Sequence, residues 1–218
     1  MTYTGHVEPG GAPETRELAG LIVHKLSVGG GWDNNAYLLR CTQTGAQLLV
    51  DAADEAPRVL AMVGDAGLQR VVTTHRHQDH WKALAAVVTA TGARTAAGRD
   101  DAPGIPVATD EPLSDGDEIR LGHAVLQVIT LVGHTPGSIA LRYDEPDGVP
   151  HLWTGDSLFP GGPGKTAGPA EFTSLMDDLE AKVFGPMPDE TWVYPGHGDD
   201  TTLGVERPRL PEWRTRGW

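Results

Sequence analysis

The sequence predicts an α/β sandwich with mixed sheets over residues 18–218, and three observations carry that prediction. Short apolar runs, often β-branched, recur along the chain, each bounded by Gly, Pro or Asp, which is how strands read. Segments with helical spacing sit between some of them. Other neighbouring runs are joined by turns too short for a crossover helix, so antiparallel pairs must share sheets with parallel ones.

The elements follow in order. Residues 1–17 are polar and rich in Gly, Pro and Glu, so a flexible lead-in is expected, with one domain over 18–218. Strands are expected at Leu21–Leu26, Ala36–Arg40 and Gln47–Asp51. A helix over Glu55–Ala66 has Pro57 in its first turn and Gly67 past its end. The run Val71–Thr74 reads as a strand, and His80–Thr91 as a helix with Asp79 as N-cap and Gly92 as stop. Gly98–Pro112, punctuated by Pro103 and Pro106, reads as a surface excursion. Strands then recur at Val125–Leu131, Ile139–Tyr143, His151–Thr154 and Trp192–Tyr194. A helix is written in the spacing of Phe172, Leu175, Met176, Leu179 and Val183, and Gly185-Pro186 stops it. The stretch Gly29-Gly30-Gly31-Trp32-Asp33 is either a hairpin turn or a mobile flap that brings Trp32 to a substrate. Trp213 and Trp218 either cover the core or form a subunit contact, and the oligomeric state is left open.

Composition narrows the function. A net charge of -13 over 218 residues disfavours tracking a phosphate backbone, so no nucleic-acid partner is expected. No apolar run approaches the roughly 18 residues of a membrane-spanning helix, and no basic-then-apolar leader opens the chain, so a soluble, cytoplasmic protein is expected without a membrane partner. Cys41 is the only cysteine, which rules out an internal disulfide, a four-thiolate metal site and a CxxC redox motif. A metal must therefore be held by nitrogen and oxygen.

Nine histidines are unevenly placed, and five stand at strand ends. His75-Arg76-His77-Gln78-Asp79-His80 follows the run Val71–Thr74 directly. Side chains two apart on extended backbone share a side, so His75 and His77 can converge, while Asp79 and His80 reach a second point nearby. Three more strand ends finish in a candidate ligand beside glycine: Gly133-His134, Gly155-Asp156 and Gly196-His197. Five imidazoles and two carboxylates come close to serving two four-coordinate zinc ions that share a carboxylate and a solvent oxygen.

The HxHxDH signature with the later His, Asp and His resembles that of the metallo-β-lactamase superfamily. The resemblance implies a four-layer αββα sandwich of two mixed β-sheets flanked by helices. It implies that His75, His77 and His134 hold one metal, that Asp79, His80 and His197 hold a second, and that Asp156 bridges them. Two divalent ions are expected, zinc first and iron as the alternative, with Asp79 and Asp156 as the catalytic carboxylates. Asp51 stands either for an acidic residue supporting the ligands or for a plain strand-end turn.

Two divalent ions about 3.5–4 Å apart lower the pKa of a shared water to around 7, so hydrolysis by metal-activated water is the expected chemistry. The segment Gly155-Asp156-Ser157-Leu158-Phe159 resembles the GDxLF loop of glyoxalase II-type thioester hydrolases. Lys165, nine residues past Asp156, stands either where that family contacts the thiol part of its substrate or as a solvated loop lysine. A small-molecule substrate, an anionic thiol conjugate, is implied. Ala167 stands where that family has a tyrosine, and with 21 residues after His197 the helical carboxy-terminal domain of two-domain glyoxalase II is not expected. The likeness is thus to compact glyoxalase II-like hydrolases, in which Thr202 and Glu206 either brace the His197 loop or cap ordinary turns. The rival is a persulfide dioxygenase-like enzyme with one iron on His75, His134 and Asp156. A β-lactam hydrolase and a non-catalytic binding module are weaker alternatives.

Overall fold

A computed structural model describes residues 3–146 and 148–217. Its first sheet runs β1 (Glu14–Glu17), β2 (Leu21–Val28), β3 (Asn34–Cys41), β4 (Gln47–Val50), β5 (Arg70–Thr73), β6 (Arg94–Gly98) and β7 (Glu111–Leu113), side by side in that order. Pairing is antiparallel from β1 to β4 and parallel from β4 to β7. The remaining strands are β8 (Glu118–Leu121), β9 (Ala124–Thr130), β10 (Ile139–Asp144), β11 (Pro150–Gly155), the small hairpin of β12 (Leu158–Phe159) and β13 (Gly162–Pro163), then β14 (Trp192–Pro195) and β15 (Thr201–Thr202). The second sheet has the order β15-β14-β11-β10-β9-β8, with β11 and β14 as its parallel pair. Both large sheets are mixed, as expected.

Strand alternation sorts the apolar side chains into three cores. Tyr37, Leu39, Leu48 and Val50 face Leu126, Leu141, Trp153 and Tyr194 between the sheets. The opposite faces of β3 and β4, Leu38 and Leu49, pack on α1 (Ala56–Val63) and α2 (Leu84–Thr91) through Val59, Val63, Leu84 and Val87. Leu152 and Val193 turn outward in the second sheet, against Phe172, Leu175 and Met176 of α3 (Pro169–Asp178). Helix, sheet, sheet, helix is the four-layer αββα sandwich. Each fully buried Leu, Val or Phe stabilises it by about 1.5–3 kcal/mol relative to exposure. Among the described residues no helix is long and apolar enough to cross a membrane.

Several expectations are corrected. The lead-in carries a strand: Glu14–Glu17 pairs with β2, and Tyr3 Oη donates to Asp200 Oδ2 at 2.6 Å. Asp79 caps no helix; it lies in a 3-10 turn over Gln78–His80, and α2 starts only at Leu84. Gly92 does end α2, in the left-handed conformation expected of a C-terminal glycine. The excursion over 98–112 is not all surface, since Asp101 and Ile105 are buried. The helix expected through Val183 loosens into a π-helix over Leu179–Phe184, ended by Gly185. Two short helices close the chain, α4 (Leu203–Glu206) and α5 (Leu210–Arg216), and Trp213 of α5 is buried in the outer core, whereas Trp218 lies outside the described residues.

β9 and β11 both run antiparallel to β10, and β14 runs parallel to β11. Their carboxy-terminal ends, which lead into His134, Asp156 and His197, therefore share one edge of the second sheet. The Ile139 amide donates to the Thr74 carbonyl at 2.9 Å and joins that edge to the end of β5, where His75 begins.

Candidate metal centre

The side chains at these strand ends meet. His75 Nε2 lies 3.1 Å from His77 Nδ1 and 3.2 Å from His134 Nε2, and His77 Nδ1 lies 2.9 Å from His134 Nε2. His75 and His77 converge through a bend after β5 rather than along extended backbone. Asp79, His80 and His197 form a second group, with His197 Nε2 at 3.3 Å and His80 Nε2 at 3.7 Å from Asp79 Oδ2. Asp156 stands between the groups: its Oδ2 is 3.6 Å from His134 Nε2 and 3.4 Å from His197 Nε2, and its Oδ1 is 3.2 Å from His80 Nε2.

The close quarters explain the glycines. A Cβ on Gly196 would overlap Asp156 Oδ1, and Gly155, at φ 50, lies where a side chain would run into Thr74.

The outer nitrogens of four of the five rings are committed. His80 Nδ1 donates to Asp51 Oδ2 at 2.8 Å, His134 Nδ1 to the Lys165 carbonyl at 2.6 Å, and His197 Nδ1 to the Trp32 carbonyl at 2.7 Å. Thr74 Oγ1 donates to Asp51 Oδ2, so at 3.1 Å it accepts from His75 Nδ1. Such outer bonds fix which nitrogen carries the proton. The inner nitrogens of His75 and His134 are left as lone pairs aimed at each other, an arrangement that repels unless a cation or shared proton stands between. Metal–nitrogen bonds of about 2.0–2.1 Å at tetrahedral angles separate ligand atoms by about 3.3 Å, close to the spacings seen. His80 Nε2 and Asp156 Oδ1 are buried 3.2 Å apart, and neither makes a well-aligned hydrogen bond. Nitrogen and oxygen donors whose inner atoms lack well-aligned partners fit divalent cations.

Electrostatics divides the two groups. Burial pushes the imidazoles of His75 and His134 down, so they stay neutral. Burial acts the same way on His80 and His197, but the neighbouring carboxylates overcome it: His80 is held well above its usual range, chiefly by Asp156 and Asp51, and His197 is raised to about 10 by Asp156 and Asp79. The hydrogen bond from His197 in turn holds the Asp79 carboxyl low.

Asn34, which the sequence did not single out, donates through Nδ2 to Asp79 Oδ2 at 3.1 Å and reaches His197 Nε2 at 3.4 Å. It opens β3 with no local signal of its role. Trp32 sits in a 3-10 turn of the β2–β3 hairpin, 71% exposed. Glu206 accepts from Thr201 Oγ1 at 2.8 Å and from the Gly161 amide at 3.0 Å, so it braces the segments after His197 and Asp156, whereas Thr202 pairs with Trp192. Two clefts open near the centre. One of about 490 Å³ is lined by Arg76, Gly133, His134 and Ala167; another of about 290 Å³ is lined by Lys165, Phe172 and Arg216.

The family model of the metallo-beta-lactamase superfamily matches residues 29–197. A hydroxyacylglutathione hydrolase of Polaromonas sp. is 35% identical over 179 residues, covering 81% of this chain and 66% of that protein. The chain spans between 62% and 66% of the length of such curated relatives. Among solved structures, ETHE1 from Myxococcus xanthus is similar at 31% identity and a TM-score of 0.74, over 87% of this chain and 83% of that one. TTHA1623 in a di-iron-bound form is similar at 32% identity and a TM-score of 0.68, over 87% and 99%.

Proposed function

Since the chain belongs to the metallo-beta-lactamase superfamily, we propose that it is a metal-dependent hydrolase acting on a thioester whose thiol part is anionic. The observation that carries the reading is the bridging place of Asp156, within 4 Å of ligand nitrogens from both groups. His75, His77 and His134 would hold one divalent ion and Asp79, His80 and His197 the other, with zinc the first to try because nitrogen and oxygen donors suit it. When bound, such ions polarise a carbonyl and bring a shared water to a pKa of around 7.

The chain's own groups supply the rest. Asp51 fixes His80, and Asn34 fixes Asp79, so the ligands reorganise little. Asp79 and Asp156 are the carboxylates facing the shared space, and they orient the attacking water. Water oxygen bonds to the acyl carbon, the C–S bond breaks, and the products are a carboxylate and a thiol. A thiol of pKa about 8.5 departs as thiolate without a dedicated acid.

Lys165 and Arg216 line one cleft, and their side chains have no hydrogen bond or ion pair among the described residues, which in a chain of net charge -13 leaves them free for an anionic substrate. The Lys165 carbonyl rests on His134, so that cleft adjoins the centre. Trp32, anchored through its carbonyl on His197, is the exposed side chain positioned to cover a bound acyl group. The likeness to named hydroxyacylglutathione hydrolases supports a glutathione thioester as the first substrate to try.

Metal analysis with a thioester panel tests the proposal. Two zinc equivalents and thioester cleavage are expected. One iron equivalent with oxygen consumption on glutathione persulfide overturns it in favour of the dioxygenase reading.

A further inference from the structure

Beyond the ligands, one buried carboxylate touches both loops that carry the first group of histidines. Asp101 is fully buried in the turn after β6. Its Oδ2 accepts from the Arg76 amide at 2.9 Å and from Thr135 Oγ1, and its Oδ1 accepts from the Gly137 amide at 2.9 Å. Arg76 is the residue between His75 and His77, and Thr135 is the residue after His134. A single side chain from a third loop therefore ties the end of a strand in one sheet to the end of a strand in the other.

We propose that Asp101 is a positioning residue of the metal centre, setting the distance between the His75–His77 bend and His134. Three features separate this role from ordinary turn capping. A cap serves donors of its own turn, whereas the three donors here belong to two loops distant in sequence from Asp101 and from each other. The contact is also built into the backbone on both sides, because a Cβ on Gly137 would overlap the Asp101 amide and one on Gly98 would overlap the Gly137 carbonyl. Finally, a buried carboxylate is costly unless it is compensated, and here its compensation comes from the same ligand loops, with the Arg76 guanidinium Nε 3.9 Å from Oδ1. His77 is exposed, so packing alone does not hold that ring in place.

Asp101→Asn keeps the shape but replaces one accepting end with a donor that faces either the Gly137 amide or the Arg76 and Thr135 donors. The loops then separate, and the three nitrogens lose their common focus. The inference rests on the reading that these groups hold metal, and the test is arranged to tell the two apart. Zinc affinity is measured by chelator competition on the full chain in pairs: His197→Ala with and without D101N, which isolates the first site, and His134→Ala with and without D101N, which isolates the second.

The expected result is a loss of about tenfold or more in the first pair and less than twofold in the second, in line with what supporting residues contribute to metal sites. Equal losses in both pairs would mean general destabilisation and overturn the proposal, as would no loss in either. If D101N does not fold, Thr135→Val removes one of the three bonds and must weaken the first site alone; an unchanged first site overturns the proposal. A wild-type chain that takes up no zinc overturns the metal reading along with it, whereas wild-type binding with an indifferent D101N overturns the positioning role only.

Discussion

His80 Nδ1 stands 2.8 Å from Asp51 Oδ2, both side chains are buried, and the backbone at Asp51 enters the left-handed region, φ 58, at that position. Asp51 also accepts from the Thr74 amide and hydroxyl, so one carboxylate orients His80 directly and His75 through Thr74. Asn tolerates left-handed backbone better than most residues, which makes Asp51→Asn a clean test of the hydrogen bond. Its amide end would meet His80 Nδ1–H donor to donor, and the ring would lose the bond that aims it at the centre. Metal affinity at the His80 site is expected to fall by about 10–100-fold, read by chelator competition.

Lys165 contributes its carbonyl to His134 and its side chain to the cleft, so Lys165→Ala separates the two roles. Metal content is expected to stay at the wild-type value. KM for thioesters of anionic thiols is expected to rise about tenfold with kcat little changed, the signature of lost uniform binding, and Arg216→Ala is expected to act the same way. Thioesters of neutral thiols should show no such rise in steady-state kinetics.

His151 is buried, ring-stacked near Tyr143 and Tyr194, with Nδ1 3.0 Å from Tyr194 Oη. Burial, with the Arg16 charge adding to it, pushes its imidazole down to about 4 from the ordinary 6.5. The unfolded chain therefore binds the proton first as pH falls. Stability from the neutral ring is whole above pH 6.5 and drains away between 6.5 and 4, by up to about 3 kcal/mol. Urea midpoints of His151→Phe are expected to fall less steeply than wild type across that window.

Lys25 Nζ donates to the Gly5 and Gly198 carbonyls at 2.6 Å and to Asp200 Oδ1 at 2.7 Å, with both charged side chains fully buried. Lys25→Met leaves the Asp200 carboxyl buried without its cation and is expected to destabilise the fold by about 3–5 kcal/mol. Replacing Asp200 by Leu in the same chain should recover part of that loss. Denaturant unfolding of both variants checks the order.

The metal-ligand candidates were legible because ligand chemistry and strand pattern coincide locally: an apolar run, a glycine and a His or Asp can be read in one window. The four layers came from the family resemblance rather than from local pattern; in β4 it is the structure that turns Leu48 and Val50 to the inner core and Leu49 to the helices. Asn34, Asp101 and Arg216 were not legible, because each gains its role from a partner far along the chain, and no local pattern encodes it. Glu14–Glu17 escaped because an edge strand with exposed and half-covered residues shows no apolar alternation. The early start assigned to α2 failed because Asp79 and His80 are drawn towards the centre, which costs the chain its first helical turn and leaves a 3-10 turn instead.

Each group of candidate ligands straddles the sandwich. His75 and His77 follow β5 of the first sheet, while His134 follows β9 of the second; Asp79 and His80 belong to the first side, while His197 belongs to the second. An ion held by either group is then a rivet through two plates, and the plates cannot part until it is drawn. Resistance to heat would become a gauge of free metal, rising by about 2.7 kcal/mol when the ion stands at one hundred times its dissociation constant.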